Sequence, residues 1–471
     1  MIGRRLVAIA GVALAGCTLG PTYHAPTPPA GAQAPWTSLK PGAESAAAAP
    51  DDWWRLYDDA ALDGYEREAL AANQDIAVAE ANLAASRALL EAARAGQYPS
   101  TTSSFGAIYG RDPTTNEILE LTGRPPTTIW LFDAVIDSSY ELDLFGRVRR
   151  TIEAAHADTA AVAAARDDLK VTVAAETARA YAEVCALGEQ LAVARRNLEV
   201  VSREADITAS RRAAGAGSVF EDVRAQTLVA QVRSAIPPLE GQRRAALLQL
   251  TALLGRTPAH APLEAIACVA APRLSAALPV GDGAALLRRR PDLREAESRL
   301  AGATARVGVA TASLYPRVTI SGFWGGASAE LSALTAERGL IWGVGPTIDW
   351  AFPNQSLPRA RLHEANAAER GALAAFDSAV LGALKETEQA LSLYGAELQH
   401  HADLVDAQVK SHRTYDIAHG QFLAGEASQL DLLSAEQSVT AADAAVAASD
   451  AALAQDQIAI FKALGGGWAG K

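Results

Sequence analysis

Residues Asp75–Ser100, DIAVAEANLAASRALLEAARAGQYPS, align without a gap with residues Asp292–Arg317, DLREAESRLAGATARVGVATASLYPR. Asp75 matches Asp292, Ala79 and Glu80 match Ala296 and Glu297, Leu83 matches Leu300, and Tyr98-Pro99 match Tyr315-Pro316. A second pair follows downstream. AGAGSVFEDV from Ala214 lines up with AGEASQLDLL from Ala424, pairing Gly215 with Gly425, Ser218 with Ser428 and Glu221 with Asp431. The chain reads as one long unit written twice, so an element found in one copy is expected in the other.

The Tyr-Pro pairs should end a helix, because the residue before proline is pushed toward extended geometry. Beyond them the period changes. Phe105, Ala107 and Tyr109 alternate with Ser104, Gly106 and Gly110. Trp130, Phe132, Ala134 and Ile136, then Tyr140, Leu142 and Leu144, alternate with Asp133, Asp137, Ser139, Glu141 and Asp143. In the second copy Val318 and Ile320 alternate with Arg317, Thr319 and Ser321, and Trp342, Val344, Ile348, Trp350 and Phe352 share one face of the partner strand. Period two with one apolar, aromatic-edged face is the pattern of strands. Loops over 111–126 and 325–339 join each pair.

The helices that follow are long. Between Val148 and Arg212 there is one glycine, Gly188, and no proline, while Val162, Leu169, Val173, Ala180, Val184, Leu187, Leu191, Leu198 and Val201 recur in steps of three, four or seven. Such a stripe implies coiled-coil packing, over a length on the order of 90 Å at about 1.5 Å per residue. Arg359–Phe422 repeats the design. Each long helix meets a glycine-bearing turn, Gly215–Ser218 or Gly425–Ser428, where glycine can take the left-handed cap and serine can cap a returning helix.

At the other end of the chain, the stretch Gly3–Pro29, GRRLVAIAGVALAGCTLGPTYHAPTPP, opens on two arginines and a short apolar run. The run is about half the roughly 20 residues needed to span a bilayer as a helix, and its layout is that of a secretory signal. Its LAGC, Leu14–Cys17, resembles the cleavage site of a bacterial lipoprotein, with Cys17 as the acylated N-terminus and Thr18 suited to sorting toward the outer membrane. The 471 residues carry a net charge of −12, which argues against nucleic acid as a partner. Of the three cysteines, Cys185 and Cys268 remain beside Cys17, and they read as free thiols, since two cysteines do not specify a disulfide scaffold.

Closure decides the assembly. Four strands cannot make a barrel when single-chain membrane barrels begin at about eight and lipid tolerates no open edge. Several copies must therefore share one barrel, and three copies would supply twelve strands.

The chain resembles the outer-membrane factor (TolC-like) family of bacterial tripartite efflux systems, in its lipoprotein branch. The resemblance rests on Asp51–Ile76, DDWWRLYDDAALDGYEREALAANQDI; Tyr140–Arg150, YELDLFGRVRR; Leu286–Leu300, LLRRRPDLREAESRL; and Ala463–Trp468, ALGGGW. It implies an α+β membrane protein: a homotrimer with a twelve-stranded outer-membrane β-barrel continued by a periplasmic α-helical barrel. It also implies a passive exit duct served by a periplasmic adaptor and an inner-membrane pump. The matching organisation is a signal peptide at 1–16, a lipidated linker at 17–50, an equatorial segment and first helix at 51–99, a strand hairpin at 100–145 and a helical hairpin at 146–256. An equatorial linker at 257–285 leads to the second first helix at 286–315, strand hairpin at 316–353, helical hairpin at 354–464 and a tail at 465–471.

Asp431 stands where the family has an aspartate in its periplasmic constriction, and Glu221 with Asp222 is its counterpart in the first copy. Rings of carboxylate select for cations; first-turn acids are also favoured by the helix dipole. The family's second aspartate is here Ser434, and the position of its basic tip partner is Ala427, so the gating network departs from the family pattern. Adaptor contact is expected at Gly215, Ser218, Gly425 and Ser428.

His412, Asp416 and His419 share one helix face at spacings a metal could use, but solvated polar residues are the simpler reading, and no metal or other cofactor is expected beyond the lipid on Cys17. The run RRRPDLRE reads as a solvated helix start. No phosphate loop, nucleophile elbow or paired-cysteine site occurs, so nothing reads as an enzyme. Two competing readings are a coiled-coil lipoprotein scaffold, which leaves the strand pairs unexplained, and a type I protein secretion channel, which would share the architecture.

Overall fold

The computed structural model describes residues 18–38, 44–45, 47–111, 117, 120–123, 125, 127–274 and 277–467. Cys17, the signal segment before it and Trp468 lie outside the described residues. The elements in chain order are β1 (Glu44–Ser45), α1 (Ala60–Ala72), α2 (Gln74–Ala95), β2 (Ser100–Gly110), β3 (Ile129–Leu142), α3 (Arg147–Ala213), α4 (Val219–Ser234) and α5 (Ile236–Leu253). There follow β4 (Leu278–Pro279), α6 (Gly283–Arg289), α7 (Pro291–Ala312), β5 (Arg317–Ser328), β6 (Leu340–Asp349), α8 (Ser356–Ala424) and α9 (Gln429–Ala463). The chain divides into two compact units, residues 1–27, 82–162 and 295–376 in one and 28–81, 163–294 and 377–471 in the other. Among the described residues no helix is long and apolar enough to cross a membrane.

The first unit holds an antiparallel sheet in the order β2-β3-β5-β6. Its register lines the alternating residues up across all four strands. Phe105 faces Ala134 and Tyr109 faces Trp130; Ile136 faces Trp324 and Tyr140 faces Ile320; Trp324 faces Trp342 and Val318 faces Ile348. One face is therefore mainly apolar, broken by Thr101, Ser103, Ser138 and Ser328, and the other carries Thr102 opposite Asp137, Glu141 opposite Thr319 and Arg317 opposite Asp349. Aromatic rings gather at both ends of the strands. Tyr109 lies 5.2 Å from Trp130 near the loop end, and Trp350 stacks on Phe352 at 4.6 Å near the helix end. Strands of about ten residues with aromatic girdles suit a bilayer. Trp350 and Phe352 do not extend β6 as the alternation suggests. The Trp350 indole N–H donates to the Leu314 carbonyl, and Pro353 has no N–H with which to continue a ladder.

The second unit is built on an aromatic hub. Trp53, wholly buried, stacks on Phe461 at 4.6 Å and meets Trp54 and Tyr57 edge-on. Gly466 presses on Trp53 so closely that an added Cβ would lie 2.7 Å from its ring. This contact links the DDWW and ALGGG stretches physically. The run RRRPDLRE is not a solvated helix start. Arg289 donates to the carbonyls of Ala49 and Pro50 and pairs with Asp51, while buried Arg290 binds Asp292, Glu386 and the Ala463 carbonyl. These arginines fasten the N-terminal segment and the C-terminal turn to α6 and α7, because guanidinium donors can serve several acceptors at once.

Cys185 and Cys268 are joined in a disulfide, against the expectation of free thiols. The segment after α5 returns along α3, and Arg243 holds it there by donating to the carbonyls of Val184, Ile266 and Cys268. Gly188 of α3 faces the same crossing, where an added Cβ would lie 2.5 Å from the Cys268 oxygen. Sequence spacing could not reveal a contact made by chain return. In the first copy the returning helix also breaks between α4 and α5, where Pro237 and Pro238 lack the amides a continuous helix needs.

The bridge closes a separation of 83 residues, and removing a native disulfide of that kind typically costs about 2–5 kcal/mol. Cys185→Ser with Cys268→Ser should therefore lower the thermal midpoint of the purified protein. In the parent protein, unfolding without reductant should leave both sulfurs closed to alkylation; rapid alkylation of both would contradict the bridge.

Candidate functional site

The two helical hairpins end in matching turns. α3 closes with Gly215 at φ +75 and α8 with Gly425 at φ +78. In each, a backbone N–H reaches back over the last turn: Ala216 to the Arg211 carbonyl at 2.9 Å, Glu426 to the Gln421 carbonyl at 2.8 Å. Glycine is needed there because a side chain strains the left-handed conformation.

Ser218 and Ser428 then start the returning helices with full capping boxes. The Ser218 N–H donates to Glu221 Oε2 at 2.7 Å, and the Glu221 N–H donates to Ser218 Oγ at 3.2 Å. At the second end Ser428 donates to Asp431 Oδ2 through its N–H at 3.0 Å and its hydroxyl at 2.6 Å, while the Asp431 N–H donates to Ser428 Oγ at 3.2 Å. The Ser218 backbone and hydroxyl hold the Glu221 carboxyl below its ordinary value, and the Ser428 hydroxyl and backbone do the same for Asp431. Both carboxylates thus stay charged while capping.

Asp222 is placed differently. It turns inward, is 2% exposed, lies 3.2 Å from Arg212 Nε and accepts from the Gln226 amide at 3.0 Å. Arg212 thereby ties the end of α3 to the start of α4. Arg211 sits 4.8 Å over the ring of Phe422, which joins the two hairpins. Around these charges lie Val219, Phe220, Val223, Leu423 and Leu430, all exposed. Sequence reasoning missed this apolar surround; its signal was the pair Val219-Phe220 directly after a capping serine. His412 pairs with Asp443 at 2.8 Å and His419 stacks on Tyr415, so the two histidines have separate partners. Among the described residues no group of three or more metal-ligating side chains comes together.

Each hairpin end thus sets capped carboxylates beside exposed apolar side chains.

A family model described as outer membrane efflux protein matches residues 66–256 and 284–466. The chain is 29% identical to the toluene efflux pump outer membrane protein TtgF of Pseudomonas putida, across 97% of this chain and 95% of that protein. It is also 29% identical to the pyoverdine export outer membrane protein OpmQ of Pseudomonas aeruginosa, across 88% and 87%. The solved outer-membrane channel OprN superposes with a TM-score of 0.89 at 34% identity, covering 96% of this chain and all of that one.

Ser218→Ala and Ser428→Ala should each loosen the first turn of the returning helix by about 1 kcal/mol, read as faster amide exchange confined to that turn. Because both capping carboxyls have lowered values, their contribution is present above the ordinary carboxylate range and is lost as the pH falls below it. Exchange at these turns should rise on strong acidification. Unchanged exchange in both variants would contradict the capping geometry.

Proposed function

The chain belongs to the outer membrane efflux protein family, and we propose that it works there as the outer-membrane exit duct of a tripartite efflux system. The observation that carries this reading is the four-stranded sheet, apolar on one face and polar on the other, in register across both halves of the chain. A sheet of this kind has a use in lipid and a liability elsewhere. β2 and β6 leave open edges, and lipid offers their N–H and C=O groups no partner. Three copies joined edge to edge give a twelve-stranded barrel, with the apolar face outward and the polar face lining an aqueous lumen. A scaffold lipoprotein would have no need of the sheet.

In this assembly the helices α3, α4, α5, α8 and α9 line a periplasmic passage whose end is set by the capped hairpin turns. Asp431 and Glu221, repeated by symmetry, place rings of carboxylate at that end and favour cations; Asp222 holds the ring in place through Arg212. Gly215, Ser218, Gly425 and Ser428 present the surface on which a periplasmic adaptor docks, and an inner-membrane pump supplies the energy. Acyl chains on Cys17 hold the N-terminus to the outer membrane, since two or more chains anchor stably. The named cargoes of the relatives, toluene and pyoverdine, differ in size and charge, as a passive duct serving different pumps would allow.

Full-length protein in a planar bilayer should give discrete, cation-selective openings. Asp431→Ala should increase conductance and weaken cation selectivity. Identical silence from the parent and from Asp431→Ala, with the protein folded, would contradict the gate assignment. The intact mass of the membrane-extracted protein should show loss of residues 1–16 and addition of acyl groups, and Cys17→Ser should show neither.

A further inference from the structure

Two turns into α9 lies a side chain that the capping scheme does not use. Glu436 is 2% exposed, and neither carboxylate oxygen has a hydrogen-bond partner. It belongs to a seam between α3 and α9 whose residues follow steps of four, three and four on both helices: Asn197, Val201, Glu204 and Thr208 against Gln429, Leu433, Glu436 and Thr440. The ends of the seam are tied. The Gln429 amide donates to Thr208 Oγ1 at 3.0 Å, and the Asn197 amide reaches the Thr440 carbonyl at 3.5 Å. Between these ties Leu433 packs with Val201 and Ala205, while Glu436 shares its surroundings with Glu204, itself 8% exposed. Knob positions of a helix pair are ordinarily apolar. Here two of them are carboxyl groups facing inward.

We propose that Glu436, diagonally across the seam from Glu204, is a proton-operated latch on the hairpin ends: holding a proton it lets α3 and α9 close on each other, and losing it loosens the seam. The physical reason is that a buried carboxylate without a donor or counter-ion is costly, whereas its protonated form is not. The charges nearby do not relieve that cost. Glu204 on α3 repels, and α8 contributes the Tyr415 hydroxyl and Asp416, whose charges act on one another. α4, packed on the same face of α3, contributes Asp222, and Asp222 already holds Arg212. Arg211 lies over Phe422. Burial first, and the charge of Glu204 second, push the Glu436 carboxyl from 4.5 up to about 7.

The direction follows from that displacement. A group whose folded value is raised stabilises the closed seam fully below its ordinary value, and the stabilisation is lost as the pH climbs toward the folded value. The latch therefore tightens on acidification between about 7 and 4.5. Its consequence for conduction rests on the reading that the hairpin ends close the duct: acid surroundings would seal the passage.

The test is amide hydrogen exchange, followed by mass spectrometry on the full-length protein in detergent, over residues 197–208 and 429–440. With the intrinsic pH dependence of exchange removed, the opening constant of the seam should rise about 15-fold between pH 5.5 and 7. In Glu436→Gln it should stay flat at the tight, acidic level of the parent, and in Glu436→Leu it should be flat and at least as protected. A parent seam with no pH dependence, or a glutamine variant that keeps the full dependence, would overturn the latch. Exchange reads the seam whether or not the hairpins gate anything. A pH-dependent seam together with conductance indifferent to pH and to Asp431→Ala would uphold the latch and refute the gate.

Discussion

A hydrocarbon layer offers no partner to a peptide group, and most of this molecule can be understood as an answer to that fact. The sheet β2-β3-β5-β6 pairs its inner strands on both sides along most of their length and leaves two edges open. Its apolar face rules out burial in water, and its polar face, with Asp133, Asp137 and Glu141, rules out burial in a core. In the proposed assembly, edges joined between copies would meet both demands. The loops and the aromatic girdles then fall at the two margins of the apolar band, where rings such as Trp130 and Trp350 are amphipathic enough to sit.

The helical part is held unevenly. Along α3 the disulfide Cys185–Cys268, the guanidinium of Arg243 and the pairing of Arg273 with Asp450 at 2.7 Å bind the returning segment tightly. The Ala271 N–H donates to Glu189 there as well. Toward the hairpin ends these ties give way to caps, the ion pair of Arg212 with Asp222, the contact of Arg211 with the Phe422 ring and a seam containing two carboxyl groups.

Much of this was legible in the sequence because it depends on local pattern. Period-two alternation named the strands, the stripe from Val162 to Val201 named the long helix, and the glycine and serine of each turn named the caps. What stayed hidden depends on chain return. Nothing within DDWW or ALGGG says that Trp53 and Phe461 stack, and no spacing reveals that Cys268 comes back to Cys185. Arg290 reads as a surface charge until Glu386 and the Ala463 carbonyl are placed around it. Glu436 is hidden for another reason: a glutamate in a helix looks solvated until the partner helix covers it.

One chain leaves two sheet edges open, and the proposed assembly of three closes them. Native mass spectrometry of the full-length protein, released gently from detergent, measures this directly. A single assembly of three lipidated chains is expected. A folded, membrane-extracted protein that flies as one or two chains would contradict it, because the edges of β2 and β6 would then have to be satisfied in some other way.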